Sequence, residues 1–262
     1  MNRRDAVLTL SAAAATLSGC ATEAPNKPAF VLVHGAWHGG WCWDRLRPLL
    51  AAAGHAVHTP TLPGQGERAG ELSASIDLAT HIDALAAYID AQHASPVVLV
   101  GHSYAGFVIS GVADRMPSAI RKLVYLDSLV PDSGHSVSSD IPAANWDGLL
   151  ALARQHGRGI GIPPLPLAAF GVATPEDVAW VGNRLTLQPL GTFSQALALR
   201  NPLGNGLPKT YIDCNLPAMA SLAGYKGKVR GQPGWRVETL ATGHDAMVLA
   251  PKALADLLLG LV

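Results

Sequence analysis

Short, largely apolar runs recur along this chain, each bounded by turn residues, and stretches with helical spacing lie between them. Phe30–Val33, Ala56–Thr61, Val97–Val100 and Leu123–Leu126 read as strands buried on both faces of a parallel sheet. Two more, Thr210–Ile212 and Trp235–Leu240, follow near the C-terminus. Within residues 75–92, Leu78, Ile82, Leu85 and Ile89 fall at i, i+4, i+7 and i+11, which is one face of a helix. A last helix opens near Pro251, whose missing N–H is harmless in a first turn, and carries a stripe of Leu254, Leu257, Leu258 and Leu261. Strands that alternate with helices predict an α/β fold, a mostly parallel sheet with helices on both faces. From about 132 to 207 the alternation dissolves into proline, glycine and short apolar helices. That stretch is expected to be an insertion over the C-terminal strand ends, where such sheets bind their ligands.

Composition narrows the class. With 262 residues, 49% hydrophobic and 15% charged, the chain is too apolar for disorder and long enough for one large core with a modest insertion. Nineteen basic residues balance nineteen acidic ones, so there is no electrostatic footprint for nucleic acid. Lys226, Lys228, Arg230 and Arg236 form a loose basic run that reads as solvated surface. Three cysteines exclude a disulfide scaffold.

The first residues, MNRRDAVLTLSAAAATLSGC, read as an address. Arg3 and Arg4 precede an apolar run from Ala6 to Leu17, too short for a hydrocarbon core that needs about 20 residues. The paired arginines predict a Tat-type signal, and Leu17-Ser18-Gly19-Cys20 resembles the lipoprotein box whose cysteine is lipidated. Residues 1–20 are thus expected to be a signal peptide and 21–29 a tether. The protein would be periplasmic or held to the bacterial envelope, touching membrane only through a lipid anchor at Cys20. Cys42 and Cys214 would remain, each expected as a buried free thiol.

Candidate chemistry sits on three predicted strand ends. Val97-Val-Leu-Val-Gly101-His102-Ser103-Tyr104-Ala105-Gly106 runs from a strand directly into a helix-like segment. Such a turn strains its central residue and raises Ser103 Oγ at a helix N-terminus, with small neighbours at Gly101 and Ala105 permitting the close approach. The segment resembles the nucleophile elbow of the α/β-hydrolases, with Ala105 in place of the second glycine. A serine hydroxyl needs a base to attack. His244, in Thr242-Gly243-His244 after the last predicted strand, stands where this fold keeps one. Val33-His34-Gly35-Ala36-Trp37 follows the first strand, so the N–H groups of Ala36 and Tyr104 are the expected oxyanion hole. Each such donor contributes about 3 kcal/mol to the transition state.

FVLVHGAWHGGWCWDRLRPLLAAAGHAVHTPTLPGQG, VVLVGHSYAGFVISGVADRMPSAIRKLVYLDSLVP and ATGHDAMVLAPKALADLL together resemble the methylesterase and hydroxynitrile lyase group of α/β-hydrolases. The resemblance spans most of residues 29–131 and 208–262. It implies a six-stranded α/β-hydrolase core at 30–131 and 208–262 and a small helical cap insertion at 132–207. Cyanogenic members of the group carry a threonine where this chain has Gly35, and a lysine after the catalytic histidine where it has Asp245. An aspartate there cannot stabilise departing cyanide, so the esterase branch is implied.

One position departs from the group. Its acid lies six residues beyond the tyrosine of Tyr211-Ile-Asp-Cys-Asn-Leu-Pro, which here is Pro217. Asp213, near the end of that strand, and Asp127, at the end of the preceding one, are the two replacements. Asp127 is preferred because haloalkane dehalogenases of this fold place their acid there, with Asp213 as runner-up. Weaker expectations put His34, Trp37, His38 and His102 against the substrate, and Trp146, Phe170, Trp180 and Phe193 in an apolar cap wall.

The leading reading is a serine carboxylic-ester hydrolase that takes a small, largely uncharged ester and uses no metal or organic cofactor. A non-catalytic small-molecule binding protein and a C–C hydrolase or lyase are the alternatives on the same fold. Removing residues 1–20 leaves 17 basic and 18 acidic side chains, close to neutral, as suits such a substrate.

Overall fold

The computed structural model describes residues 27–92 and 96–262, so the predicted signal peptide, Cys20 and most of the tether lie outside the described residues. The described residues form eight strands: β1 (Phe30–Val33), β2 (Val57–His58), β3 (Val97–His102), β4 (Ile120–Leu126), β5 (Gly161–Ile162), β6 (Gln188–Pro189), β7 (Lys209–Cys214) and β8 (Trp235–Leu240). Six form one parallel sheet in the order β2-β1-β3-β4-β7-β8, while β5 and β6 pair antiparallel by themselves. The chain leaves β1 towards one edge and returns at β3 to build towards the other. The reversal sets β1 and β3 side by side, with Val33 opposite Gly101, and makes their C-terminal ends the switch point.

Every residue of β1 and β3 is buried, which is why these strands need no polar alternation. Helix α1 (Arg47–Ala52) packs with the C-terminal α10 (Pro251–Leu259), and α2 (Leu78–Ala91) packs on α3 (Ala105–Arg115). Asp77 caps α2 reciprocally with Thr80, and the helix buries Leu78, Ile82, Leu85 and Ile89 on one face, joined by His81. In α10, Leu254 and Leu258 are buried, whereas Leu257 is only half-buried and Leu261 lies past the helix end.

Between β4 and β7 the chain folds into α4 (Val137–Asp140), α5 (Ala143–His156), α6 (Pro175–Gly182) and α7 (Leu190–Ser194), with the β5–β6 pair among them. After β7 come α8 (Ala223–Val229) and, after β8, α9 (Ala246–Leu249). No helix among the described residues is long and apolar enough to cross a membrane.

Two strand expectations need correction. The strand expected at Ala56–Thr61 shrinks to Val57–His58, because Pro60 has no N–H for the ladder and lies on the sheet edge. Trp235–Leu240 is not a buried central strand. It is the other edge, and only Leu240 is buried. Trp41 and Trp43 fall in a 3-10 turn, Gly40–Trp43, with Trp37 before it.

Candidate active site

Ser103 sits between β3 and α3 with φ 53, the left-handed region that L residues avoid. The turn is held by its neighbour strand. Ser103 N–H donates to Leu126 O at 3.2 Å, and Ser103 O accepts from Leu129 N–H at 3.1 Å and from Ser128 Oγ at 2.6 Å. Gly106 is required here, since a Cβ would drive into Leu129 O. Trp37 (φ 66) and Asp127 (φ 40) share the strained conformation, so three of the five non-glycine residues with positive φ cluster at these strand ends. Strain of this kind costs about 1–3 kcal/mol per residue and persists where surrounding contacts impose it.

The structure separates the two candidate acids. Asp127, fully buried at the end of β4, accepts from His244 Nδ1 at 2.7 Å through Oδ2. Its Oδ1 accepts from Cys214 N–H at 3.2 Å and from Lys226 Nζ at 2.7 Å. Asp213 points into a different set of partners. Its Oδ1 meets the same Lys226 Nζ at 2.7 Å and its Oδ2 pairs with Arg230. Pro217 is exposed and has no side-chain acceptor to offer an imidazole.

Lys226 is the residue the sequence reading misplaced. It is buried on α8, donates to the Cys214 carbonyl at 2.6 Å and forms ion pairs with both Asp127 and Asp213. Burial pulls the ammonium down, and the two carboxylates outweigh burial and raise it above the ordinary lysine range. Leu222, Lys226 and Val229 share the buried face at i, i+4 and i+7, a spacing that could have revealed it. The other members of the basic run are also ion-paired: Lys228 with Asp132, Arg230 with Asp213 and Arg236 with Glu238.

Ala36 and Tyr104 both line the cavity that Ser103 and His244 face. Neither backbone N–H has an acceptor among the described residues, as two donors reserved for a ligand oxygen require. The β1 loop is clasped from the insertion. Gln188 Oε1 accepts from Trp37 N–H at 3.2 Å, Thr186 N–H donates to Trp37 O at 2.9 Å, and Trp37 Nε1 donates to Ile162 O at 3.0 Å. Gln188 lies outside every motif of the sequence, 151 residues from the Trp37 N–H it accepts from.

The cavity measures about 620 Å³ and is mainly apolar. Phe170 and Phe193 line it, with Trp37, whereas Trp146 and Trp180 do not. Trp180 instead packs edge-on against Trp41 beneath the Arg45 guanidinium. The expected substrate contacts of three histidines are also corrected. His34 is buried behind the loop, bonded to Gly35 O and Leu62 N–H, and burial holds it down to about 3. His102 is buried and bonded through Nε2 to His244 O at 3.1 Å, with burial and then His244 pulling it down to about 3. His38 is sequestered by Asp245 at 3.2 Å. Burial would lower it, but the carboxylate raises it above the ordinary value. Cys42 and Cys214 are both buried and unpaired, as expected.

Residues 30–257 match the sequence profile of the Alpha/beta hydrolase family. A carbendazim hydrolyzing esterase of Nocardioides sp. (strain SG-4G) is 38% identical over 240 residues, covering 88% of this chain and 98% of that protein. Salicylic acid-binding protein 2 of Nicotiana tabacum is 38% identical over 191 residues, or 64% of this chain and 70% of that one. Among solved structures, an extracellular alpha/beta-hydrolase from a Paenibacillus species superposes with a TM-score of 0.76 at 23% identity, covering 89% of this chain and 98% of that one. With its six-stranded sheet and a profile match over nearly its whole described length, the chain belongs to the alpha/beta hydrolase family and is an enzyme of the carboxylesterase type.

Proposed function

We propose that this enzyme hydrolyses a small, largely uncharged carboxylic ester through an acyl-enzyme, with Ser103, His244 and Asp127 as its triad. Ser103 Oγ attacks the carbonyl carbon while His244 takes the hydroxyl proton. Asp127 fixes the imidazole through Nδ1 and stabilises the imidazolium that forms. The carbonyl oxygen, now an oxyanion, accepts from Ala36 and Tyr104 N–H, and His244 returns its proton to the departing alkoxide. Water then repeats the sequence on the acyl-enzyme, releasing the acid and Ser103. Side chains and backbone supply each step, without metal or organic cofactor.

The observation that carries this reading is the 2.7 Å contact between His244 and Asp127 behind a cavity that both His244 and Ser103 line. An esterase relative at 38% identity supports the ester as substrate class. Lyase chemistry is disfavoured by space as well as charge. A Cβ at Gly35 would meet His102 Nδ1 at 2.8 Å and Ser103 Cβ at 2.9 Å, so a threonine does not fit. Asp245, where a lysine would be needed, is buried against His38.

The test combines fluorophosphonate labelling with hydrolysis of aryl and alkyl esters of graded length. Wild type should label at Ser103 and turn over, Ser103→Ala should do neither, and Asp127→Asn should lose about 10⁴-fold in turnover with Asp213→Asn much milder. A crippled Asp213→Asn beside an active Asp127→Asn overturns the acid assignment, and an unlabelled wild type favours a binding protein. We further propose export through residues 1–20 with a lipid on Cys20, which fractionation of wild type beside Arg3→Lys/Arg4→Lys and Cys20→Ser variants tests.

A further inference from the structure

The cavity has a polar contact that ester cleavage does not use. Asp140, the last residue of α4, is largely buried and lines the cavity beside Asn145 and Tyr225. Its Oδ2 accepts from Tyr225 Oη at 2.7 Å. Its Oδ1 accepts from His135 Nδ1 at 2.7 Å and more distantly from Ser139 Oγ at 3.4 Å. An ionised carboxylate offers about four acceptor sites, so these partners leave capacity for one more donor. Among the described residues lining the cavity, Asp140 is the only carboxylate, and no lysine or arginine lines it. Apolar walls strengthen the field of that charge, whose partner His135 is half-exposed and lies outside the cavity lining.

We propose that Asp140 and Tyr225 form a substrate-selecting contact. It favours esters that carry an N–H or O–H donor or a cationic nitrogen away from the scissile bond, and it rejects esters that carry a free carboxylate. This deepens the hydrolase reading and rests on it for the role of the cavity. Tyr225 orients the carboxylate and spares it from full desolvation. A donor on the substrate completes the carboxylate's hydrogen bonding, whereas a second carboxylate in the same cavity meets like charge with no lysine or arginine in the described lining to offset it.

The test uses 4-nitrophenyl esters of one chain length ending in isopropyl, carboxamide or carboxylate, three ends of like size and branching. A mirrored series carries the same ends on the alcohol. In at least one series wild type should favour the carboxamide over the carboxylate by about 100-fold in kcat/KM. Asp140→Asn should shrink that ratio to about fivefold or less, while Tyr225→Phe, which keeps the charge, should preserve it. Equal treatment of carboxamide and carboxylate by wild type in both series, or an unchanged ratio in a folded Asp140→Asn, overturns the proposal. Binding of the same esters to Ser103→Ala, read by the fluorescence of Trp37, gives the affinity order without turnover. An enzyme that hydrolyses none of the esters therefore sinks the hydrolase reading, and the affinity order still decides for or against Asp140.

Discussion

Replacing Lys226 by methionine removes one ammonium and leaves two buried carboxylates. In the native protein Lys226 Nζ lies 2.7 Å from both Asp127 and Asp213 and 2.6 Å from Cys214 O. Arg230 would still serve Asp213, but it is 58% exposed and does not reach Asp127. Breaking a buried ion pair by deleting one partner costs about 3–5 kcal/mol, because the charge left behind has lost its compensation. The variant can relieve that cost by protonating a carboxylate. A protonated Asp127 stabilises an imidazolium poorly, so turnover at neutral pH should fall by about 100-fold, short of the about 10⁴-fold expected when the acid is lost outright. The acid limb of the pH–rate profile should move to higher pH, because alkali restores the carboxylate. Lys226→Met combined with Asp213→Asn restores the charge balance and should recover turnover to within about tenfold of wild type. Urea unfolding and pH–rate profiles of both variants check the argument, with Lys226→Gln as a milder version should methionine prevent folding. A folded single variant with an unmoved profile, or a double variant no better than the single, refutes this account of Lys226.

Gly35→Thr should destabilise the protein by about 1–3 kcal/mol and reduce esterase turnover, without creating lyase activity, because its side chain must displace His102 or Ser103. Melting temperature and product analysis check this. Gln188→Ala removes the acceptor for Trp37 N–H and should lower kcat by about tenfold through a slack oxyanion loop, with KM changed far less. Acid should unfold the protein early. Burial holds His34 and His102 down to about 3 and His81 to about 4, against 6.5 when free. Between those values the unfolded chain binds protons that the folded chain refuses, so stability rises with pH across that window and is lost on acidification. Each histidine contributes a slope of up to about 1.4 kcal/mol per pH unit. His38, raised by Asp245, has the opposite sign. It stabilises below 6.5 and loses that contribution as pH rises through its folded value. Urea midpoints between pH 4.5 and 6.5 (about two units inside the window) should show the slope, and His102→Gln should reduce it by about one proton.

The parts of this molecule that were legible in sequence are those dictated by local backbone chemistry. A fully apolar strand running into Gly-His-Ser-Tyr-Ala-Gly can hardly make anything but a tight strand-to-helix turn, and β3, Ser103 and α3 form there. The period of Leu78, Ile82, Leu85 and Ile89 likewise carries α2 without help from elsewhere. What sequence hid depends on contacts across the fold. The short β2 and the exposed β8 look like central strands because edge position is a property of the whole sheet. His34, His38 and His102 sit in the right motifs but behind the cavity wall, where Gly35 O, Asp245 and His244 O engage them. Lys226 and Gln188 act across 99 and 151 residues of chain, on Asp127 and Trp37 respectively, and no local pattern reports such a partner.

The position of the acid follows from the same reasoning. Asp127 sits on the strand next to the one bearing Ser103, and the Leu126–Leu129 segment that carries it also grips both backbone groups of Ser103. On the proposed triad, nucleophile and acid are therefore fixed by one unit of hydrogen-bonded backbone, and the imidazole of His244 is brought to that unit by the segment between β8 and α9. Asp213 remains at the neighbouring strand end with its charge consumed by Lys226 and Arg230. If Asp213 were simply a displaced acid awaiting His244, that compensation would be a handicap. As a counter-ion it has a function, since it holds the ammonium whose other contact fixes Asp127 Oδ1 and leaves Oδ2 for the histidine. The two aspartates that looked like rivals in sequence are, in the folded protein, the two ends of one charge-balanced support.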